Sequence, residues 1–398
     1  MELSIDVLSS YPPVQEAEVD KVLAEEIRDN EKKIVVLDDD PTGVQTVHDI
    51  SVYTNWEKAS IEQGFAEENK LFYILTNSRG FTAAQTEKAH KEIAEVVDQV
   101  AKETGKEYLF ISRSDSTLRG HYPLETTILK DEYEKNTGKK IDGEVLCPFF
   151  KEGGRFTIDD VHYVQYDDTL VPAAETEFAK DKTFGYTVSN LKEYVEEKTQ
   201  GAYKKENVTA ISLENIRELN YDKIEEQLLA VEDFNIVNAI DYVDVKIFCV
   251  ALFRAMKKGK NFMFRTAAAI VKVMGGVSNQ PLLTREQMVV KETDNGGIIV
   301  VGSHTDKTTR QMEKLRENKD IAFVELNATL VNDEAAFAEE VERCLALEEE
   351  YISSGKSVCV YTTRALITAD TGDKEDDLRL SVRISDAVQS LVGRLTVT

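Results

Sequence analysis

Long apolar runs are missing from this chain of 398 residues. No stretch reaches the roughly 18 consecutive apolar residues of a membrane span, and the acidic N-terminus has neither the basic start nor the apolar core of a secretory leader. The expected location is the cytoplasm, with no membrane partner. Basic charge is also scarce. With 48 Lys and Arg against 73 Asp and Glu, the formal net charge is -25, which argues against a nucleic-acid partner, because phosphate backbones are bound by clustered Lys and Arg. A small anionic ligand would need a local island of arginine. Cysteine is sparse too: Cys147, Cys249, Cys344 and Cys359 stand far apart, mostly in apolar runs such as VLCPFF and SVCVY. They read as buried thiols, without a CxxC pair or Cys/His spacing for zinc and without a disulfide framework. Only 7 prolines and 20 glycines interrupt a composition that is 42% apolar and 30% charged, too apolar for disorder.

At roughly 100–200 residues per domain, two domains are expected. Residues 14–30 form a Glu-rich leader helix, and KKIVVLDDDPTG then reads as a buried strand running into a polar loop. LFYILTNSRG at 71–80 has the same plan, followed by a helix for which Thr82 is the N-cap. YLFISRSDSTLRG at 108–120 supplies a third strand and GEVLCPFF at 143–150 a fourth. Strands alternating with helices predict an α/β fold of two domains, with largely parallel sheets covered by helices on both faces. The glycine-bounded, weakly periodic stretch after Gly275 predicts a linker over 275–294, so that the domains span 1–274 and 295–398. In the second, GGIIVVGSHTDKTTRQMEKL reads as strand, loop and helix, AFVELNA as a strand, 333–353 as a long helix and KSVCVYTTR as another strand.

Parallel α/β sheets bind ligands at the carboxyl ends of their strands. Three strands of the first domain end in LDDDPTG, LTNSRG and SRSDSTLRG, which bring Asp38, Asp39, Asp40, Thr42, Gly43, Asn77, Ser78, Arg79, Arg113, Asp115, Ser116, Thr117 and Arg119. Arg79, Arg113 and Arg119 make the expected basic island, since a guanidinium fork binds carboxylate or phosphate bidentately. The acids could hold a divalent cation or accept a hydroxyl proton. One such loop is usually only a turn; three at successive strand ends, with charge that is costly to bury unpaired, point to a site. His48 and His121, beside these loops, are expected to be structural.

Two nucleotide-like signals differ in worth. SSGKS at 353–357 lacks the first P-loop glycine, because Glu350 stands there, and it follows a helix instead of opening one. GGIIVVGSHTDKTTRQ has strand, small polar loop and helix in the right order, so Gly302, Ser303 and His304, with Thr305, could meet a phosphate at a helix N-terminus. A rival pattern is DxDxT at Asp38, Asp40 and Thr42, which resembles the nucleophile motif of haloacid-dehalogenase-like phosphatases, with Gly372, Asp373 and Asp377 fitting their GDxxxD metal motif. It leaves TNSRG and SDSTLRG unexplained. A non-catalytic acid-binding protein would fit the arginine loops but not a dedicated second α/β domain.

LDDDPTG, LTNSRG, SDSTLRGH, VGSHTDKTTRQM and YTTR, in this order, resemble the four-carbon acid sugar kinase family from about residue 33 to the end of the chain. That family includes kinases of threonate, erythronate and 3-oxo-tetronate. The resemblance implies an N-terminal acid-sugar-binding domain, a C-terminal ATP-binding domain and transfer of the γ-phosphoryl group to the terminal hydroxyl, with Mg²⁺ bridging the phosphates. It places substrate contacts on Asp39, Thr42, Gly43, Ser78, Arg79, Asp115, Ser116, Thr117 and Arg119, and nucleotide contacts on Gly302, Ser303 and His304. Arg113 stands where relatives commonly have Lys, and Pro41 where many have an apolar residue, which suggests a subgroup with its own substrate. The catalytic base is expected to be Asp39 or Asp115. The resemblance also leads one to expect further glycine loops after YTTR, so the nucleotide-binding domain is expected to lack its C-terminal end, and a homodimer covering the open sheet edge is admitted.

Overall fold

The computed structural model describes every residue except Val290, Glu292, Asp370, Val397 and Thr398, and the side chain of Lys374. Two compact units divide the chain, Met1–Gln280 and Pro281–Thr398. Of the expected linker, Val290 and Glu292 lie outside the described residues. In the first unit the strands are β1 (Leu3–Ser4), β2 (Lys33–Asp38), β3 (Val52–Tyr53), β4 (Leu71–Leu75), β5 (Tyr108–Arg113), β6 (Gly143–Cys147), β7 (Arg155–Ile158), β8 (Val161–Tyr166), β9 (Thr169–Pro172), β10 (Thr209–Ile211), β11 (Phe234–Val237) and β12 (Phe262–Thr266). The second unit holds β13 (Ile298–Val301), β14 (Ile321–Leu326) and β15 (Ser357–Thr362).

Eight of the first unit's strands form one sheet in the order β10-β11-β6-β12-β5-β2-β4-β3, and every neighbouring pair in it is parallel. Alternate side chains feed two cores, Ile34, Val36, Leu71, Tyr73, Leu109 and Ile111 on one face and Val35, Leu37, Phe72, Ile74 and Phe110 on the other. Burial on both faces is why β2 and β5 read as unbroken apolar runs. The chain moves outward from β2 to β4 on one side and then crosses to β5 on the other. That reversal opens a crevice at the carboxyl ends of these strands.

Local signals hold the covering helices in place. Thr82 caps Ala83–Thr104 in a full capping box with Gln85, and Gly105 closes the helix at φ 66°. The leader helix, Glu16–Asp29, lies against Tyr242–Lys257, with Lys246, Arg254 and Lys257 paired to its acids.

The sequence reading missed a second, antiparallel sheet of order β1-β9-β8-β7. Its first hairpin turns at Asp159 and Asp160, with φ of 48° and 65°, and its second at Asp167, with φ of 49°. Positive φ at such turns normally calls for Asn-Gly or Asp-Gly. Here Asp-Asp does it, which hid the hairpins.

The second unit is a parallel sheet of order β13-β15-β14, with Val324, Leu326, Val358 and Val360 packed under the helix Glu334–Ser353. All four cysteines are free and buried. Among the described residues no helix is long and apolar enough to cross a membrane.

Candidate functional site

The end of β2 brings three carboxylates together. Arg113, at the end of β5, donates from Nη1 to Asp38 Oδ1 at 2.7 Å, and the same nitrogen lies 3.4 Å from Asp39 Oδ1 and from Asp40 Oδ1. Arg79, in the loop after β4, donates to Asp39 from Nη2 at 2.7 Å and from Nε at 3.2 Å, and pairs with Asp40 through Nη1. Three acids thus share two guanidinium groups, one negative charge too many for a buried cluster. Burial, opposed by Arg113 but aided by repulsion from Asp39 and Asp40, raises Asp38 to about 7. Burial also raises Asp39, against Arg79. At the less buried Asp40 the same upward push is outweighed by Arg79 and Arg113, so its carboxyl is held low. Gly43 is a packing requirement: a Cβ there would stand 1.9 Å from Asp38 Oδ2.

In the loop after β5, Asp115 Oδ2 accepts from Arg119 Nε at 2.7 Å, from the Arg119 N–H at 3.3 Å and from the Thr117 hydroxyl. Burial would raise Asp115, yet Arg119 and Arg79 with those hydrogen bonds hold it well below the usual carboxylate range. Arg119 Nη1 is 3.8 Å from Asp181, and its guanidinium lies over the Phe178 ring at 5.1 Å. The loop backbone is pinned from below. Tyr186 and Tyr194 donate their hydroxyls to the carbonyls of Thr117 and Leu118 at 2.7 and 2.8 Å, His162 Nε2 meets the Ser116 carbonyl at 2.8 Å, and Arg265 donates to that of Arg119 at 2.8 Å. Gly120, at φ 120°, passes so close to Ser114, Arg265 and Asp39 that a Cβ would come within 2.7–3.2 Å of them.

Above this layer is a cleft of about 210 Å³ lined by Asp40, Thr42, Gln45, Arg79, Arg113, Asp115, Ser116, Arg119, Phe150, Arg155, Ala267 and Ala268. Of the residues expected to contact substrate, Thr42, Arg79, Arg113, Asp115, Ser116 and Arg119 line it. Others do not. Asp39, Ser78 and Thr117 are 2%, 0% and 1% exposed, because they serve as anchors: Asp39 for Arg79, Ser78 for Glu125 through a 2.6 Å bond, and Thr117 for Asp115. Gly43 packs on Asp38. His48 bonds Asp49 and Ser278, and His121 the Phe81 carbonyl. The sequence reading missed Arg155, at the start of β7. Its signal is the preceding Gly153-Gly154: a Cβ on Gly153 would strike the Phe150 ring at 2.5 Å and crowd Arg155 Nη1 at 3.3 Å, and Gly154 has φ 70°.

Asp38, Asp39 and Asp40 could bring one oxygen each to within 4.8 Å of one another. Arg113 Nη1 already takes the cation's part among them, so a resident Mg²⁺ does not fit this triad.

In the second unit, Gly302 and Ser303 follow β13. Thr362 donates to the Gly302 carbonyl at 3.0 Å and Arg364 to that of Ser303, while Ser303, Thr305 and Thr308 join their hydroxyls. The helix Asp306–Leu315 starts at Thr305 without a side-chain cap bond, so its first N–H groups face an exposed loop, the arrangement that receives phosphate. His304 is exposed. The GKS sequence lies between the helix Glu334–Ser353 and β15. Of the phosphatase pattern, Asp38 and Asp40 belong to the first unit and Asp373 and Asp377 to the second, where Asp373 caps the final helix and Asp377 accepts from the Ala369 N–H.

Comparison with known families matches residues 34–274 to the Sugar-binding N-terminal domain and residues 298–398 to the Nucleotide-binding C-terminal domain. Among solved structures, a putative tRNA synthase from Salmonella typhimurium LT2 is similar over 90% of this chain and 81% of its own, at 13% identity and a TM-score of 0.54. A Haemophilus influenzae protein matches over 91% and 82%, at 16% identity and 0.46. A Bordetella bronchiseptica domain of unknown function, solved with bound citrate as a domain-swapped dimer, matches over 91% and 79%, at 15% identity and 0.45. At these identities the likeness bears on fold alone. No curated protein matches the chain.

Proposed function

The chain belongs to the family that joins a sugar-binding N-terminal domain to a nucleotide-binding C-terminal domain, and from that premise we propose that it is an ATP-dependent kinase for the terminal hydroxyl of a four-carbon acid sugar of the threonate, erythronate or 3-oxo-tetronate type. The observation that carries this reading is the cleft: about 210 Å³, with four arginines and two carboxylates in its lining. That volume falls below the roughly 300–1,000 Å³ of drug-sized sites, so it suits a small, heavily hydroxylated anion. Cytoplasmic location and a homodimer belong to the same proposal.

Phosphoryl transfer asks a protein chiefly for positioning and charge neutralisation. In this reading the arginine-lined cleft provides the counter-charge for the acid, Thr42 and Ser116 offer hydroxyls to its polyol, and Asp115 accepts the proton of the attacking hydroxyl. Asp39 leaves that role because it is sealed beneath Arg79. Asp115 is a weak base, which suits a loose transition state in which the nucleophile needs little activation. Mg²⁺ bound to the nucleotide substrate would supply charge neutralisation, and Gly302, Ser303 and His304 form the wall that would receive the nucleotide's phosphates.

A coupled ADP-release assay over a panel of four-carbon acids tests the proposal. ADP should appear only when an acid is present, and Asp115→Asn should lower turnover by roughly 10²–10⁴-fold. Phosphate release from phospho-sugars without ATP would point to a phosphatase instead. Acid binding without either reaction would leave a binding protein.

A further inference from the structure

The cleft's arginines fall into two kinds. Arg79, Arg113 and Arg119 are each tied to carboxylates of the protein. Arg155 is not. It has no carboxylate within ion-pair distance among the described residues, and its Nε is sealed from solvent without a hydrogen-bond partner. Its guanidinium rests on Phe178 at 5.5 Å, the same ring that carries Arg119 at 5.1 Å. Burial works against its charge, with Asp115 and Glu177 acting on it only from a distance. A half-buried, unpaired guanidinium is costly unless a counter-ion arrives.

We infer that Arg155 is the specificity-determining residue of the cleft, its guanidinium taking the carboxylate of the acid substrate while Phe178 holds it beside Arg119. This rests on the proposed sugar-acid site and extends it. Because the other cleft arginines are already matched by protein acids, the ligand's charge is recognised at one place, and the preferred class is a hydroxylated monocarboxylate. Dicarboxylates and sugar phosphates bring a second charge that has no open partner. The recognising group arrives on β7, so acid selectivity belongs to the antiparallel sheet, and the parallel sheet supplies the polyol contacts.

The test is calorimetric titration of the full chain with threonate and with its uncharged amide, for wild type, Arg155→Met and Arg155→Lys. Wild type should prefer the acid. Arg155→Met should weaken acid binding by about 10–100-fold, the worth of charge-assisted hydrogen bonds, while leaving the amide almost unchanged, and Arg155→Lys should fall between because it keeps charge and loses the fork. Melting temperature separates recognition from support: Arg155→Met should melt close to wild type, since no ion pair or side-chain hydrogen bond is lost and a methionine can still lie on Phe178. Equal acid affinity in wild type and Arg155→Met, or a sharp drop in melting temperature, overturns the inference. The kinase reading is judged separately by ADP release. An enzyme that still turns over acids with unchanged KM in Arg155→Met keeps the kinase and removes Arg155, whereas Arg155-dependent acid binding without ADP release does the reverse.

Discussion

The floor of the cleft in the first unit and the long helix of the second treat buried carboxylates in opposite ways. In the first, Asp38, Asp39 and Glu125 are almost wholly buried, yet each has a partner: Arg113, Arg79 and Ser114, and Ser78 respectively. In the second, Glu348 is fully buried in the helix Glu334–Ser353 and neither of its carboxylate oxygens has a hydrogen-bond partner. The difference concerns what each charge is for. Paired ions gain little net stability over an apolar core, but they fix the direction of the groups that they hold, and in the first unit those groups line a cleft. A lone acid fixes nothing and escapes its cost by staying protonated.

The largest effect should come from removing a guanidinium from the paired cluster. Arg113→Met leaves Asp38, Asp39 and Asp40 facing one another with Arg79 alone, and breaking a buried pair in this way costs about 3–5 kcal/mol. Urea unfolding of the first unit's signal measures it. Adding Asp38→Asn should recover part of the loss, because it removes the carboxylate closest to the missing cation. A loss below about 1 kcal/mol would mean that the cluster is more hydrated than its burial indicates.

Next in size is the lone acid. Burial raises Glu348 from 4.5 to about 7, so the folded state holds its proton when the unfolded state has released it. Its favourable balance is complete below the unfolded pKa and is lost as pH rises through about 7. Glu348→Met should therefore leave stability unchanged near pH 4 and raise it by about 2–4 kcal/mol at pH 8. Denaturation curves at the two pH values decide it, and equal gains at both would show that the variant acts through packing alone.

The same contrast explains what could be read from the chain itself. Strand-end loops were legible because three of them end in charge and small polar residues just after apolar runs, and a parallel sheet gathers strand ends. The inward or outward placement of each residue was not legible. In Asp38-Asp39-Asp40 the first two are buried and the third reaches the cleft, and what decides it is Arg113, which lies 75 positions beyond Asp38. Arg155 was overlooked for another reason. It belongs to the antiparallel sheet, whose Asp-Asp turns carry no glycine, and nothing near it in sequence says that it lacks a partner.

The smallest expected effect compares two helix starts. Thr82 opens Ala83–Thr104 with its hydroxyl accepting from the Gln85 N–H while Gln85 reaches back to the Thr82 N–H, so Thr82→Ala removes a working cap and should cost about 1 kcal/mol. Thr305 opens Asp306–Leu315, but its hydroxyl is shared with Ser303 and Thr308 and makes no cap bond. Thr305→Ala should then cost less than about 0.5 kcal/mol. Thermal melts of the two variants in nucleotide-free buffer give the comparison. If Thr305→Ala proves as damaging as Thr82→Ala, the helix after β13 is capped in solution, its first N–H groups are already taken, and the nucleotide wall assigned to Gly302, Ser303 and His304 loses the donors that would face a phosphate.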